Sequence, residues 1–175
     1  MKILILYATT EGQTRKIVQF AADHLADAGH AVELLPAGEA AELDISRFGA
    51  AILAGSVHVG RYQPELVEAA RVHAAAFSGM KTLFLSVSLA AAGDDPGDLK
   101  GLKECVARFA EKTGWTPERV EHVAGAFRFT QYDFFRSWAM RWIAAQKGES
   151  VDPHADKEYT DWQKLAAVLD DWIAG

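Results

Sequence analysis

Short apolar runs alternate along the chain with segments in which apolar residues recur every three or four positions. The runs are bounded by Gly, Pro or polar residues and predict five strands, at residues 3–7, 31–35, 50–54, 82–87 and 119–126. The segments between them predict helices, because residues three and four positions apart share one helix face. The chain therefore consists of strands that alternate with helices.

The predicted helix boundaries carry residues that favour helix starts and ends. Pro64 stands at the start of the second helix, since proline suits the first helical position. The third helix places Leu99 and Phe109 on its apolar face and stops at Gly114. Thr160 with Gln163 three residues later forms a capping-box pattern, which predicts that the last helix runs from Thr160.

Alternating strands and helices predict right-handed crossovers and a parallel sheet covered by helices on both faces. The fold class is therefore doubly wound α/β, and residues 1–175 are expected to form a single domain. Such sheets bind ligands outside the carboxyl ends of their strands, so the loops after strands one, three, four and five should carry the function. Residues 127–158 form an insertion that is too long for an ordinary connection before the last helix.

The charge balance and the cysteine content narrow the classes of function. The chain has 24 Asp and Glu against 18 Lys and Arg, a formal net charge of −6, which disfavours a nucleic-acid partner. Its single cysteine, Cys105, predicts a buried structural thiol in a reducing, cytoplasmic compartment. The histidines show no metal-ligand spacing, so no metal is expected, and no apolar stretch is long enough to cross a bilayer.

The loop after the first strand has the composition of a phosphate site. It consists of Thr9, Thr10, Glu11, Gly12, Gln13 and Thr14. Hydroxyl groups, backbone N–H groups and the positive end of the helix dipole together suit a phosphate. The loop contains no Lys or Arg, which favours a phosphate held as part of a cofactor over a triphosphate under hydrolysis. An ordinary helix start with turn residues is the alternative interpretation.

Two later loops complete a recognisable pattern. The third strand leads into Ser56, Val57, His58, Val59, Gly60 and Tyr62, and the fourth ends in Ser86, Val87, Ser88 and Leu89. With Thr-Thr-Glu-Gly-Gln-Thr at residues 9–14, these loops resemble the flavodoxin pattern, in which the first loop holds the FMN phosphate and the later loops embrace the isoalloxazine ring. The resemblance implies a five-stranded parallel sheet in the order 2-1-3-4-5, non-covalently bound FMN, and Tyr62 as the aromatic cover of the ring.

The carboxyl-terminal part resembles a narrower group. Gly-Ala-Phe-Arg-Phe at residues 125–129, a basic aromatic insertion and Glu-Tyr-Thr-Asp-Trp at residues 158–162 are similar to the menaquinone-dependent protoporphyrinogen oxidase (HemG-type) branch of the flavodoxin-like proteins. This resemblance implies an oxidoreductase that dehydrogenates protoporphyrinogen IX in haem biosynthesis and passes electrons through FMN to menaquinone or ubiquinone. The implied chemistry takes place at the flavin and needs no nucleophile from the protein, so the resemblance leaves any catalytic side chain unidentified. The sequence departs from the family pattern at the acidic pair Asp94 and Asp95.

The insertion combines positive charge with aromatic surface. Residues 127–147 carry four Lys and Arg against Asp133 alone, a local charge of +3 in an acidic protein. The expected substrate or membrane contacts are Arg128, Phe134, Phe135, Arg136, Trp138, Arg141 and Trp142. This composition suits a groove for a flat anionic substrate or a peripheral contact with the cytoplasmic face of the inner membrane. Packing against the domain, or against a second subunit of a homo-oligomer, is a third interpretation.

Three other functions stay open. A flavodoxin-type electron carrier would suit the acidic charge, although the Arg- and Trp-rich insertion does not suit it. An NAD(P)H-dependent quinone or flavin reductase would turn over NAD(P)H without an added reductase. A degenerate flavodoxin-like protein would fail to take up FMN.

Overall fold

The computed structural model of the chain describes residues 1–127 and 157–175. Its main sheet contains β1 (Lys2–Ala8), β2 (Ala31–Pro36), β3 (Ala50–Ser56), β4 (Lys81–Ser88) and β5 (Arg119–Ala124). All four pairings are parallel, and the strand order is β2-β1-β3-β4-β5. The doubly wound class and the order 2-1-3-4-5 are therefore confirmed.

Five α-helices are described, together with short 3₁₀ turns at Ala37–Glu39, Ile45–Arg47 and Ala90–Ala92. They are α1 (Gln13–Asp27), α2 (Pro64–Val72), α3 (Ala74–Ser78), α4 (Pro96–Thr113) and α5 (Trp162–Ala174). Pro64 occupies the first turn of α2 as predicted, and Gly114 ends α4 with a left-handed φ of 70°. None of the described helices has the length and apolar character needed to cross a membrane.

The two faces of the sheet bury separate apolar clusters. Ile5 and Ile52 face α1 and α5, where Leu169 is fully buried. Alternate residues of the same strands face α2 and α4, and Phe84 packs there against Phe109. Successive side chains of a strand point to opposite faces, so the central strands β1, β3 and β4 are buried almost throughout and the helices must cover both faces.

The last strand differs from the prediction of one run over residues 119–126. The sheet strand β5 ends at Ala124, and after Gly125 the chain forms β6 (Ala126–Phe127), which pairs antiparallel with β7 (Lys157–Glu158). A Cβ atom on Gly125 would lie 3.4 Å from Cγ1 of Val87, so the glycine lets the chain pass closely over β4. The two ends of the insertion therefore lie side by side.

The start of the last helix also differs from the prediction. The side chain of Asp161 caps α5 by accepting a hydrogen bond from the N–H of Lys164 at 2.9 Å, so the predicted cap at Thr160 is wrong. Thr160 is buried, and its hydroxyl donates to the carbonyl of Ala124 at 2.7 Å. The hydroxyl of Thr160 therefore forms a tertiary hydrogen bond with β5 and does not cap the helix.

Leu99 and Asp95, at the start of α4, both bear on the sequence predictions. Leu99, predicted on the apolar face, is 38% exposed, because it lies in the first turn, beyond the part of the helix that covers the sheet. Asp95, one of the two aspartates that depart from the family pattern, caps the helix by accepting from the N–H groups of Gly97 and Asp98. Its carboxylate therefore has a structural role at a helix start.

Candidate functional site

A cavity of about 460 Å³ lies at the carboxyl ends of β1, β3, β4 and β5. It is lined by Thr9, Thr10, Glu11, Gln13, Thr14, Ser56, Val57, His58, Val59, Gly60, Val87, Ser88, Leu89, Ala90, Leu102, Gly125 and Ala126. Its volume is that of a small-molecule or cofactor site. The fold thus brings together the loops that the sequence predicted to carry the function.

The polar end of the cavity is the start of α1. Gly12 precedes the helix with a left-handed φ of 89°, and its N–H donates to the hydroxyl of Thr9 at 2.9 Å. The first-turn N–H groups of a helix have no intrahelical acceptor and carry the positive end of the dipole. This arrangement presents several donors to one anion.

Thr14 supplies the observation that tests whether a phosphate fits here. The residue is 1% exposed and lines the cavity, and its buried hydroxyl has no hydrogen-bond partner among the described residues. A buried polar group without a partner costs free energy, so such a group in a native fold calls for an explanation. A phosphate oxygen at this helix start would accept from the hydroxyl, and the residues present therefore fit a bound phosphate.

Gln63 organises the neighbouring hydroxyl groups, and sequence reasoning missed it. Its side-chain amide donates to the hydroxyl oxygens of Thr10 at 3.0 Å and of Ser56 at 2.6 Å. Because both hydroxyl oxygens act as acceptors in these bonds, their own protons remain available to a ligand. The only local signal is that Gln63 precedes Pro64 at the start of α2, which does not indicate a role in binding.

The loop after β3 makes a tight turn at the rim of the cavity. His58 and Arg61 exchange two backbone hydrogen bonds, at 2.8 and 3.0 Å. Between them Val59 and Gly60 both have positive φ, 48° and 70°, and Val59 is 82% exposed. A β-branched residue in this region is strained. The carbonyl of Gly60 also accepts a hydrogen bond from Arg108 at 3.3 Å, which holds the turn from outside the cavity.

The remaining wall of the cavity is apolar and suits a planar ring. Val57, Val87 and Leu89 come from the predicted loops, and the N–H of Val57 donates to the carbonyl of Val87 at 2.8 Å. The lining residues that the site prediction missed are Ala90, Leu102, Gly125 and Ala126. Leu102 lies in α4, and the local pattern predicts residues 125–126 as strand, so neither pattern indicates a contact with a ligand.

Three predicted site residues do not line the cavity: Gly12, Tyr62 and Ser86. Gly12 shapes the loop through its left-handed φ and its hydrogen bond to Thr9. The ring of Tyr62 is not the aromatic cover that the resemblance implied, because it is 7% exposed and meets Phe84 edge-on at 5.1 Å. Its hydroxyl is hydrogen-bonded at 2.7 Å to the hydroxyl of Ser86, which is fully buried, and burial raises the pKa of Tyr62. Both side chains belong to the core beneath the site.

The predicted contacts of the insertion lie outside the described residues: Arg128, Phe134, Phe135, Arg136, Trp138, Arg141 and Trp142. Within residues 1–127 and 157–175, no group of three or more His, Cys, Asp and Glu side chains is placed to hold a metal ion.

Comparison with known proteins agrees with the geometry of the site. The flavodoxin domain family, Flavodoxin_5, matches residues 4–154. The chain belongs to this family. The resemblance stated from the sequence is thereby confirmed, and the cofactor of this flavodoxin domain is FMN. In fold it is similar to a flavodoxin from Streptococcus pneumonia, with a TM-score of 0.55, 19% identity and coverage of 99% of each chain.

Two curated relatives of the flavodoxin domain carry the name protoporphyrinogen IX dehydrogenase (quinone). The protein from Escherichia coli is 26% identical over 166 residues, which are 95% of this chain and 91% of the relative. The protein from Leishmania major is 25% identical over 174 residues, which are 99% of this chain and 75% of the relative.

Proposed function

We propose that this flavodoxin domain is an FMN-dependent protoporphyrinogen IX dehydrogenase that passes electrons to a respiratory quinone in haem biosynthesis. The observation that carries the proposal is the position of the insertion relative to the cofactor cavity. Gly125 and Ala126 line the cavity, and the chain enters the insertion immediately after them. The relatives named for this activity match almost the whole chain, which supports the same assignment.

Bound FMN would supply the redox chemistry of the reaction. The first-turn N–H groups of α1 and the hydroxyl of Thr14 would hold its phosphate. Gln63 orients the hydroxyls of Thr10 and Ser56 toward the same end of the cavity. The apolar wall formed by Val57, Val87 and Leu89 would exclude water from the ring, and the proposed chemistry requires no side chain as a nucleophile.

The insertion is proposed to receive the substrate. Protoporphyrinogen carries two propionates, for which Arg128, Arg136 and Arg141 would be charge-assisted partners. Its large apolar macrocycle would pack on aromatic side chains such as Trp138 and Trp142. The same side chains would suit a peripheral contact with the membrane, where a respiratory quinone resides. Self-association of the protein through this surface is an alternative use of these aromatic groups.

The proposed reaction balances with quinone as the oxidant. Conversion of the porphyrinogen to the porphyrin removes six electrons and six protons from the macrocycle. Three quinones, each reduced to a quinol by two electrons and two protons, take up the same number. Complete oxidation of one macrocycle therefore requires three two-electron oxidations, with one quinone reduced in each.

The proposal is tested by anaerobic turnover of protoporphyrinogen IX with the FMN-loaded protein and a soluble quinone analogue, followed through the fluorescence of the porphyrin product. Reactions without protein and without quinone are needed as controls, because the substrate autoxidises. Quinone-dependent product formation is expected. No turnover by a protein that holds FMN would contradict the proposal and favour an electron carrier, while oxidation of NAD(P)H without an added reductase would favour a reductase.

A second experiment addresses the insertion. Replacing Arg136 and Arg141 together with Ala should lower turnover of protoporphyrinogen at limiting substrate and leave FMN affinity unchanged. The matched control is Arg71→Ala, which removes an exposed arginine of α2 that is paired with Glu68. Equal turnover by the two variants would show that these arginines do not receive the substrate.

A further inference from the structure

Glu158 is the centre of a hydrogen-bonded cluster that joins the end of the insertion to the cofactor loop. One carboxylate oxygen accepts from the ammonium group of Lys16 at 2.7 Å and from the side-chain amide of Gln13 at 3.0 Å. The other oxygen accepts from the indole N–H of Trp162 at 3.1 Å. The carboxylate thus connects the first turn of α1 with the first residue of α5, across about 145 positions of the chain.

Gln13 is the member of this cluster that reaches the cavity. It is the first residue of α1, is 6% exposed and lines the cavity beside Thr14. Its side-chain amide donates both to Glu158 and to the hydroxyl oxygen of Thr160, each at 3.0 Å. Because Thr160 is itself anchored to the carbonyl of Ala124, the first residue of α1 is fixed against the carboxyl end of β5.

The same short segment also closes the base of the insertion. Ala126 pairs with Glu158 and Phe127 with Lys157, and the N–H of Tyr159 donates to the carbonyl of Gly125 at 3.0 Å. Gly125 and Ala126 form part of the cavity wall. Residues 157–160 therefore contact the cavity at two places. They reach its phosphate end through Gln13, and they reach the wall of the cavity through the pairing of β7 with β6.

We propose that Glu158 is a positioning residue for the FMN phosphate and couples phosphate binding to closure of the β6–β7 pair from which the insertion extends. The inference rests on the proposed FMN site. Glu158 holds Gln13 in the conformation in which the helix start presents its donors to the phosphate, and the bound phosphate stabilises that same conformation. By linkage, each of the two events makes the other more favourable.

The test compares FMN with riboflavin, which has the same ring system and lacks the phosphate. Glu158→Ala and Glu158→Gln should weaken FMN binding by about fivefold to tenfold. This is the change in affinity expected when one hydrogen-bonding group is misplaced. Riboflavin binding should change by less than about twofold. The dissociation constants are measured by quenching of flavin fluorescence, with thermal unfolding of each variant as a check on folding.

Asp170→Asn is the matched control. Asp170 pairs with His24 at 2.7 Å and thereby joins the same two helices at a distance from the loop. This variant should bind FMN and riboflavin like the wild-type protein. The inference is overturned if the Glu158 variants bind FMN normally, if they lose both flavins equally, or if Asp170→Asn has the same effect on FMN.

Hydrogen exchange on the wild-type protein provides a measurement that does not depend on any variant. Saturating FMN should protect the amides of residues 157–160 more than saturating riboflavin, and the N–H of Tyr159 should respond most because it pairs with Gly125. Equal protection by the two flavins would overturn the coupling. Neither binding experiment uses the substrate, so failure of the proposed dehydrogenase activity would be detected separately.

Discussion

The side-chain amide of Gln63 donates to the hydroxyl oxygen of Thr10 across 3.0 Å, although the two residues are 53 positions apart. The same amide nitrogen reaches the hydroxyl of Ser56, so one side chain joins the loops after β1 and β3. A rigid pair of loops can present oriented donors to a phosphate without having to reorganise on binding.

Replacing Gln63 with Leu should weaken FMN binding by about fivefold to tenfold, because Thr10 and Ser56 lose the donor that orients them. The free energy of unfolding should change little, since the carbonyl oxygen of Gln63 is buried without a partner and is removed at the same time. Flavin titration and urea unfolding measure the two effects. Gln19→Leu, on the exposed side of α1, is the control. Normal FMN affinity in Gln63→Leu would contradict the proposed role.

Thr14→Val should affect the apo-protein and the FMN complex in opposite directions. Without FMN, removal of a buried hydroxyl that lacks a partner should raise the free energy of unfolding by about 1 kcal/mol. With FMN, the lost donor should weaken binding by about tenfold and leave riboflavin affinity unchanged. Thermal unfolding with and without each flavin measures both changes. A variant that binds FMN as tightly as the wild type would show that this hydroxyl does not contact the phosphate.

Tyr62→Phe distinguishes a core tyrosine from an aromatic cover. The substitution keeps the ring and leaves the hydroxyl of Ser86 without its partner, so the free energy of unfolding should fall by about 1–3 kcal/mol. The double substitution with Ser86→Ala should recover part of this loss. FMN affinity should stay within about twofold of wild type, because neither side chain lines the cavity. A selective loss of flavin binding with an unchanged free energy of unfolding would show that Tyr62 covers the flavin ring after all.

Val59→Gly should stabilise the protein by about 1 kcal/mol, because a left-handed φ strains a β-branched residue and the side chain is largely exposed. Gly60→Ala, at a φ of 70° in the same turn, should have the opposite effect. Urea unfolding measures both. If Val59 is retained because it contacts the bound flavin or the substrate, Val59→Gly should also lower turnover. Destabilisation by Val59→Gly would show that its side chain contributes more by packing than it costs in strain.

Acid should remove the stabilising contribution of Glu158. The ammonium group of Lys16, followed by the hydrogen bonds from Gln13 and Trp162, lowers the pKa of this carboxyl below its usual value. A carboxyl with a lowered pKa in the folded state stabilises the protein fully above its unfolded-state pKa, and this contribution is lost as the pH falls through the folded-state pKa. The difference in unfolding free energy between the wild-type protein and Glu158→Gln should therefore shrink as the pH is lowered from about 6 to about 3. A difference that does not vary over this range would contradict the ion pair.

Much of the fold and part of the site follow from local patterns. The apolar runs and the helical periodicity predicted all five strands of the main sheet, and Pro64 and Gly114 marked helix boundaries correctly. The composition of residues 9–14 predicted a phosphate-type helix start, and the orphaned hydroxyl of Thr14 is consistent with that prediction. These features could be predicted from the sequence because each depends on neighbouring residues or on the end of a single strand.

The direction in which an individual side chain points could not be predicted in the same way. Tyr62 follows a turn at the cavity rim, and nothing in the local sequence distinguishes a ring that covers a ligand from one that packs on Phe84. Thr160 has the pattern of a helix cap, but the carbonyl of Ala124 competes for its hydroxyl, and Asp161 caps the helix instead. In both cases a residue distant in sequence decides the outcome.

The sequence by itself determined the doubly wound class, the edge of the sheet that carries the site and the loops that contribute to it, because periodicity and turn chemistry act over a few residues. Only the tertiary structure decided that Gln63 joins two loops and that Glu158 connects Gln13 to the base of the insertion. Those contacts form between segments that the sheet order brings together, and their free energy depends on distances and burial that no local pattern contains.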